Sequence, residues 1–230
     1  MKTVLFSLLA IIGLLSESCL LHAETSSQDS NAIVIPTEMP LAFVTAVVQA
    51  ESGRQLSILH YTVKNNSDRD VISFTVSAYV TAASAKCVSG EGWTITENIP
   101  ANSTRTFSTT LKNYVTQDSR LALAFTSVRD ETSKSTANPT QIKKALAQIS
   151  GADVIGQSQV PFIETVQATA SPSASPQPAA ACDPGFCTEA RTSALAICLG
   201  ENCQLGGFSC SQSACSYTFT CRCCTGGHCQ

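Results

Sequence analysis

Between Leu41 and Arg129, apolar and polar residues alternate in short runs separated by turn formers. Val71 to Thr81 alternates most clearly. Ile72, Phe74, Val76, Ala78 and Val80 fall on one side, and Ser73, Thr75, Ser77 and Thr81 on the other, the period of a half-buried strand. Leu41 to Ala50 is rich in β-branched residues, and Ser57 to Lys64 sets Leu59, Tyr61 and Val63 on one face. Asn65-Asn66-Ser67-Asp68 is a cluster of turn formers. A Gly-containing loop, Ala82 to Gly92, carries Cys87 and precedes a short strand, Trp93 to Ile95. Ile99 to Ser103 turns into Thr104–Lys112, with Phe107 and Leu111 inward, and Arg120–Arg129 places Leu121, Leu123 and Phe125 together. Six short strands with turns between them predict an antiparallel β-sandwich. No segment between them reads as a crossover helix, which argues against a parallel α/β sheet.

Asn138-Pro139 opens the one convincing helix, over 139–150. Asn138 can cap it, Pro139 suits the first turn, and Ile142, Leu146 and Ile149 share a face that packs on the sandwich. Asp153 to Gln167 is ambiguous, with Val160-Pro161-Phe162-Ile163 readable as an edge strand or a docked segment.

Tyr61-Thr-Val-Lys-Asn-Asn-Ser-Asp-Arg-Asp-Val-Ile-Ser-Phe74 resembles the strand–turn–strand of bacterial extracytoplasmic immunoglobulin-like or fibronectin-III-like domains. Ile99-Pro-Ala-Asn-Ser-Thr-Arg-Thr-Phe107 is similar to their proline, turn and strand segment. The resemblance covers residues 40–130 and implies an Ig-like sandwich, not an activity.

The first 23 residues read as a secretory signal peptide. Lys2 precedes an apolar run, Val4 to Leu15, and Leu21-His22-Ala23 offers a cleavage site before Glu24. Ser16-Glu17-Ser18 does not fit the lipobox that lipidation of Cys19 would need, and Glu17 and His22 interrupt a membrane anchor. The membrane is therefore met only transiently, during export. A polar lead-in over 24–39 is expected to be disordered. Charged residues make up 13% of the chain, the net charge is −3, and no basic block exceeds Lys143-Lys144, which excludes a nucleic-acid footprint.

A Pro/Ala/Ser linker spans 166–181, uncharged over Thr169 to Ala181. As polyproline II those 13 residues would reach about 40 Å. It divides a sandwich domain, 40–165, from a cysteine-rich module, 182–230, and such a spacer would let the module act independently. The module holds Cys182, Cys187, Cys198, Cys203, Cys210, Cys215, Cys221, Cys223, Cys224 and Cys229, ten of the twelve cysteines. So short a segment needs staples to fold. Four C-x4-C pairs recur, but no C-x2-C knuckle, so disulfides are expected in an exported chain. Ten cysteines allow ~945 pairings, and sequence does not choose among them. The alternative is a thiolate metal site formed by these cysteines with His228. With Cys19 removed, Cys87 is the odd thiol.

No catalytic set is visible. His60 lies mid-strand and His228 in the tail; G-x-S-x-G, P-loop and G-x-G-x-x-G motifs are absent, and no cofactor is expected. Asp68 and Asp70 beside Asn65 and Asn66 are too few to specify calcium, and Trp93 reads as a core residue. Asn65 and Asn102 head N-glycosylation sequons. The expected function is a secreted, periplasmic or cell-surface non-catalytic binding protein, its sandwich displaying the disulfide module to a protein or glycan at the cell surface. A secreted protease inhibitor is a further alternative. Arg191, Glu201, Asn202, Phe208, Tyr217 and Arg222 are the expected contact residues of the tail.

Overall fold

The computed structural model describes residues 27–51, 56–82, 88–113, 115, 119–151, 182–198, 203–225 and 228–229. The signal segment, Cys19, Cys87, Val160–Ile163, the linker, Glu201 and Asn202 lie outside them. The chain is mainly β. Its elements are β1 (Ser27–Asn31), β2 (Ile33–Val34), β3 (Leu41–Glu51), β4 (Leu56–Asn65), β5 (Val71–Ala82), β6 (Val88–Ile95), β7 (Thr104–Leu111), β8 (Ser119–Asp130) and β9 (Lys134–Thr136), followed by α1 (Pro139–Gly151), α2 (Phe186–Cys198), β10 (Cys203–Ser211), β11 (Ser216–Thr225) and β12 (His228–Cys229). One sheet has the order β1-β3-β4-β7. The other runs β10-β11-β6-β5-β8-β2, with β9 beside β8 and β12 beside β11.

The lead-in expected to be disordered instead holds β1 and β2. β1 zips antiparallel onto β3 from Ser27↔Glu51 to Asn31↔Val47. A polar strand can form there because an edge position asks only for backbone partners. The loop expected over Ala82–Gly92 is also shorter, because β6 begins at Val88 and pairs with β5 from Thr81↔Val88.

The expected core faces meet between the two sheets. Leu59, Tyr61 and Val63 of β4 and Phe74, Val76 and Ala78 of β5 are buried with Leu121, Leu123 and Phe125 of β8. Phe43 stacks on Phe125 at 4.1 Å, and Tyr61 on Phe107 at 5.5 Å. Trp93 packs against this core, and its Nε1 donates to the Tyr61 hydroxyl at 3.1 Å. Asn65 closes the β4–β5 turn. It is fully buried, its Nδ2 donates to the carbonyls of Arg69 (2.7 Å) and Ile99 (3.0 Å), and its Oδ1 accepts from Ser67 N (3.0 Å). An amide so enclosed is no glycan acceptor, whereas Asn102 is exposed with φ 56°.

The opposite face of β5 departs from the half-buried reading. Thr75, Ser77, Tyr79 and Thr81 are buried too. A second apolar layer covers them, formed by Ile142, Leu146 and Ile149 of α1, by Phe186, Ala190, Ala194 and Ile197 of α2, and by Tyr217 and Phe219 of β11. The α1 start matches its expected cap, with Asn138 Oδ1 accepting from Thr140 N at 2.9 Å. α2 is an addition that the cysteine pattern concealed: its buried residues recur at helical spacing, and two of them are alanines that let the helix lie close.

The tail is therefore not held away from the sandwich. β11 continues the sheet by pairing antiparallel with β6, from Ser216↔Trp93 to Thr220↔Ser89. In this ladder Tyr217 stands opposite Gly92 and Phe219 opposite Gly90. A Cβ at Gly92 would collide with the Tyr217 ring, and one at Gly90 with the Phe219 ring. The missing side chains are what let both rings lie across β6. Between the glycines, buried Glu91 accepts from Lys112 N and Asn113 N, each at 3.0 Å, tying the end of β7 to β6.

Among the described residues four disulfides staple the module: Cys182–Cys215, Cys187–Cys210, Cys198–Cys221 and Cys203–Cys223. None joins the partners of a C-x4-C pair. Cys187 and Cys198 bolt the two ends of α2 to β10 and β11, and Cys203–Cys223 crosses the hairpin between residues in register. Each closes a loop of 20 to 33 residues, and bridges of that size typically contribute about 2–4 kcal/mol.

Gly90→Val or Gly92→Val should destabilise the protein by about 1–3 kcal/mol through overpacking, read as a lower urea midpoint. Ser209→Val, at an exposed position of β10, should change it by less than about 0.5 kcal/mol. Peptide mapping of the oxidised protein should recover the four bridges above. A scrambled map would contradict the helix–hairpin arrangement.

Candidate functional site

The seam between α2 and the sheet encloses a row of hydroxyls. Strand register places Thr94, Thr75, Ser127 and Thr136 side by side across β6, β5, β8 and β9, at the strand spacing of about 4.8 Å. Thr75 and Thr94 share a hydrogen bond of 2.8 Å. Deeper in the seam, the Ser77 hydroxyl bonds to Thr126 at 2.9 Å and to the Tyr217 phenol at 2.7 Å. Burial pushes the Tyr217 phenol up, partly offset by its hydrogen bonds to Ser77 and Thr126, so it stays neutral. Tyr79, on β5 with Ser77, is raised well above the ordinary phenol by burial and then by the neighbouring Tyr217, partly offset by the nearby Ser77 hydroxyl; among the described residues no partner meets its hydroxyl with full hydrogen-bond geometry.

α2 roofs this row and leaves a groove of about 380 Å³. Its helix wall carries Thr188, Ser193 and Ala190, its floor Phe186 and Tyr217, and its far wall Thr136 and Ala137. A second space of about 170 Å³ adjoins it around Thr75, Ser127 and Phe186. Ser127, Thr136, Thr188 and Ser193 spend no side-chain hydrogen bond on other described residues, so their hydroxyls are free to serve a ligand.

An ion cluster pins α2 over the β8–β9 hairpin. Arg129 Nη1 meets Asp183 at 2.7 Å, and Lys134 Nζ meets Asp183 at 3.2 Å and Glu189 at 2.7 Å. Burial works against the Lys134 charge, but hydrogen bonds to Glu189 and Asp183 outweigh it and hold its pKa above the ordinary value. These groups are partly exposed, so their energetic weight is small; their effect is to satisfy one another and to orient the helix. The hairpin turn is itself built on Asp130, which accepts from Thr132 N (2.7 Å), Ser133 N (2.6 Å) and both their hydroxyls.

The residues expected from the sequence are distributed differently. Eight tail cysteines are in S–S bonds, and a disulfide sulfur is not a thiolate ligand, so these eight supply no thiolate to the metal alternative with His228. Arg191 and Arg222 are exposed and Phe208 is half-buried, but Tyr217 is buried and faces the seam, not a partner. His60 lies on β4, paired with Val47 and Ser108 in the other sheet. Asp70 serves the neighbouring loop, accepting from Ala101 N at 3.0 Å and Asn98 Nδ2 at 3.1 Å. The hydroxyl row was missed. Its signal was the composition of the outer face of β5, Ser73, Thr75, Ser77 and Thr81, which lacks the charges a solvated strand face carries.

No protein-family model, curated protein or solved structure matches this chain.

The Asp130 carboxyl is held at about 2, first by the Thr132 backbone N–H and then by the hydroxyls of Thr132 and Ser133. Its folded value lies below the ordinary 3.8, so its contribution is complete above that pH and lost as pH falls through 2. Protection of the Thr132 and Ser133 amides, their exchange measured against an unstructured peptide at the same pH, should fall across that window. In Asp130→Ala it should be weak throughout, and an unchanged profile would contradict the role of the carboxylate.

Proposed function

We propose that this chain is an exported, non-catalytic binding protein with an immunoglobulin-like sandwich, and that it takes its ligand in the groove between α2 and the sheet. The observation that carries this reading is the groove itself. A disulfide-stapled helix is held above an uncharged hydroxyl row, with apolar and aromatic floor between. A pre-formed concave site with convergent polar groups is the usual form of a small-molecule site. Its rigidity lowers the ordering entropy lost on binding. The four disulfides fit an oxidising compartment, and among the described residues no helix is long and apolar enough to cross a membrane. Among its described residues the groove offers hydroxyls and ion-paired charges but no imidazole, which favours binding over general acid–base chemistry.

The test uses the exported chain, whose N-terminus should be Glu24. Its thermal unfolding is measured against a panel of small neutral, charged and apolar compounds. At least one class should raise the midpoint, as a ligand bound only to the folded state must. The rise should vanish in Ser193→Trp, which fills the groove. A shift that persists in that variant, or no shift with any class, would overturn the reading.

A further inference from the structure

Resting on that groove as the binding site, we propose that its ligand is a neutral, hydroxyl-rich ring, a saccharide unit, and not an ion or an aliphatic chain. Hydroxyls both donate and accept, so Ser127 and Thr136 on the sheet side and Thr188 and Ser193 on the helix side can each turn to suit a ligand hydroxyl. Between them, Phe186, Tyr217 and Ala190 supply an apolar surface for the C–H face of a ring. Such a ring presents both kinds of surface at once, and so does this groove.

A charged ligand finds no unpaired counter-ion among the described residues here. The charges at the rim are one another's partners: Glu189 is held by Lys134, and Asp183 by Lys134 and Arg129. An added ion would have to break those pairs or enter the groove unpaired, and an unpaired charge out of water is costly. An aliphatic chain would cover the sheet-side hydroxyls without satisfying them, which penalises burial. The size agrees: about 380 Å³ lies at the small end of the range for ligand pockets, ~300–1,000 Å³. The adjoining space beyond Phe186 shares Thr75 and Ser127 with it and can receive a second ring or a substituent.

The experiment titrates the full exported chain by calorimetry with N-acetylglucosamine and cellobiose as neutral probes. N-acetylneuraminate and glucosamine serve as the charged arm and hexanol as the apolar arm. The neutral saccharides should bind. Ser127→Ala and Thr136→Val should each weaken them about three- to tenfold, the worth of one hydrogen bond, while Thr188→Trp, at an exposed helix position, abolishes binding without disturbing the core. Binding of the charged probes or hexanol with both saccharides silent overturns the ligand class and leaves the groove as a binding site. Silence of every probe overturns both. Saccharide binding unchanged in Ser127→Ala, Thr136→Val and Thr188→Trp overturns this site.

Discussion

The pairing of β11 with β6 is the contact on which the outer half of the molecule depends. Five residue pairs in register extend the sheet of the sandwich into the cysteine-rich hairpin. Two glycines on β6 receive the rings of Tyr217 and Phe219. Burying an aromatic side chain of this size contributes about 1.5–3 kcal/mol, and each backbone hydrogen bond adds about 0.5–1.5 kcal/mol net. No described disulfide crosses from the module to the sandwich. The seam is thus held by strand pairing, ring packing and the small ion cluster of Arg129, Lys134, Asp183 and Glu189.

The two halves solve different problems of stability. The sandwich buries a continuous core between its sheets, with Phe43, Tyr61, Phe74 and Phe125 in mutual contact. The module is too small for such a core and relies on staples from α2 to the hairpin. Its largest apolar residues point toward the sheet, because that face of β5, β6 and β8 is where a second core can form. Tyr79 stands at the centre of this shared layer, fully buried and edge-on to Phe219.

The groove is a consequence of the same docking. Both walls bring hydroxyls, Ser127 and Thr136 from the sheet and Thr188 and Ser193 from the module, and the module supplies the roof. The register of β6, β5, β8 and β9 spaces the hydroxyls, and α2 can span them because Cys187 and Cys198 fix its ends. A ligand held between the two walls would strengthen the seam, since whatever binds only the assembled state stabilises it.

Much of this could be read from residue order. Alternation over Val71–Thr81 and the spacing of Leu59, Tyr61 and Val63 determined strands and their inner faces, because side-chain direction in a strand has period two. Asn138-Pro139 determined where α1 starts, because capping is local chemistry. The crowding of cysteines determined a stapled module, because a short segment cannot otherwise offset its chain entropy. Only the tertiary structure decided the disulfide partners, the helical state of 186–198 and the docking of the tail. Those rest on contacts between residues far apart in sequence: Tyr217 meets Gly92, Ser77 meets Tyr217, and Cys198 meets Cys221. The polar face of β5 shows the limit most plainly. Its serines and threonines were visible from the start, but whether they meet water or a second protein layer depends on where residues more than a hundred positions later come to rest.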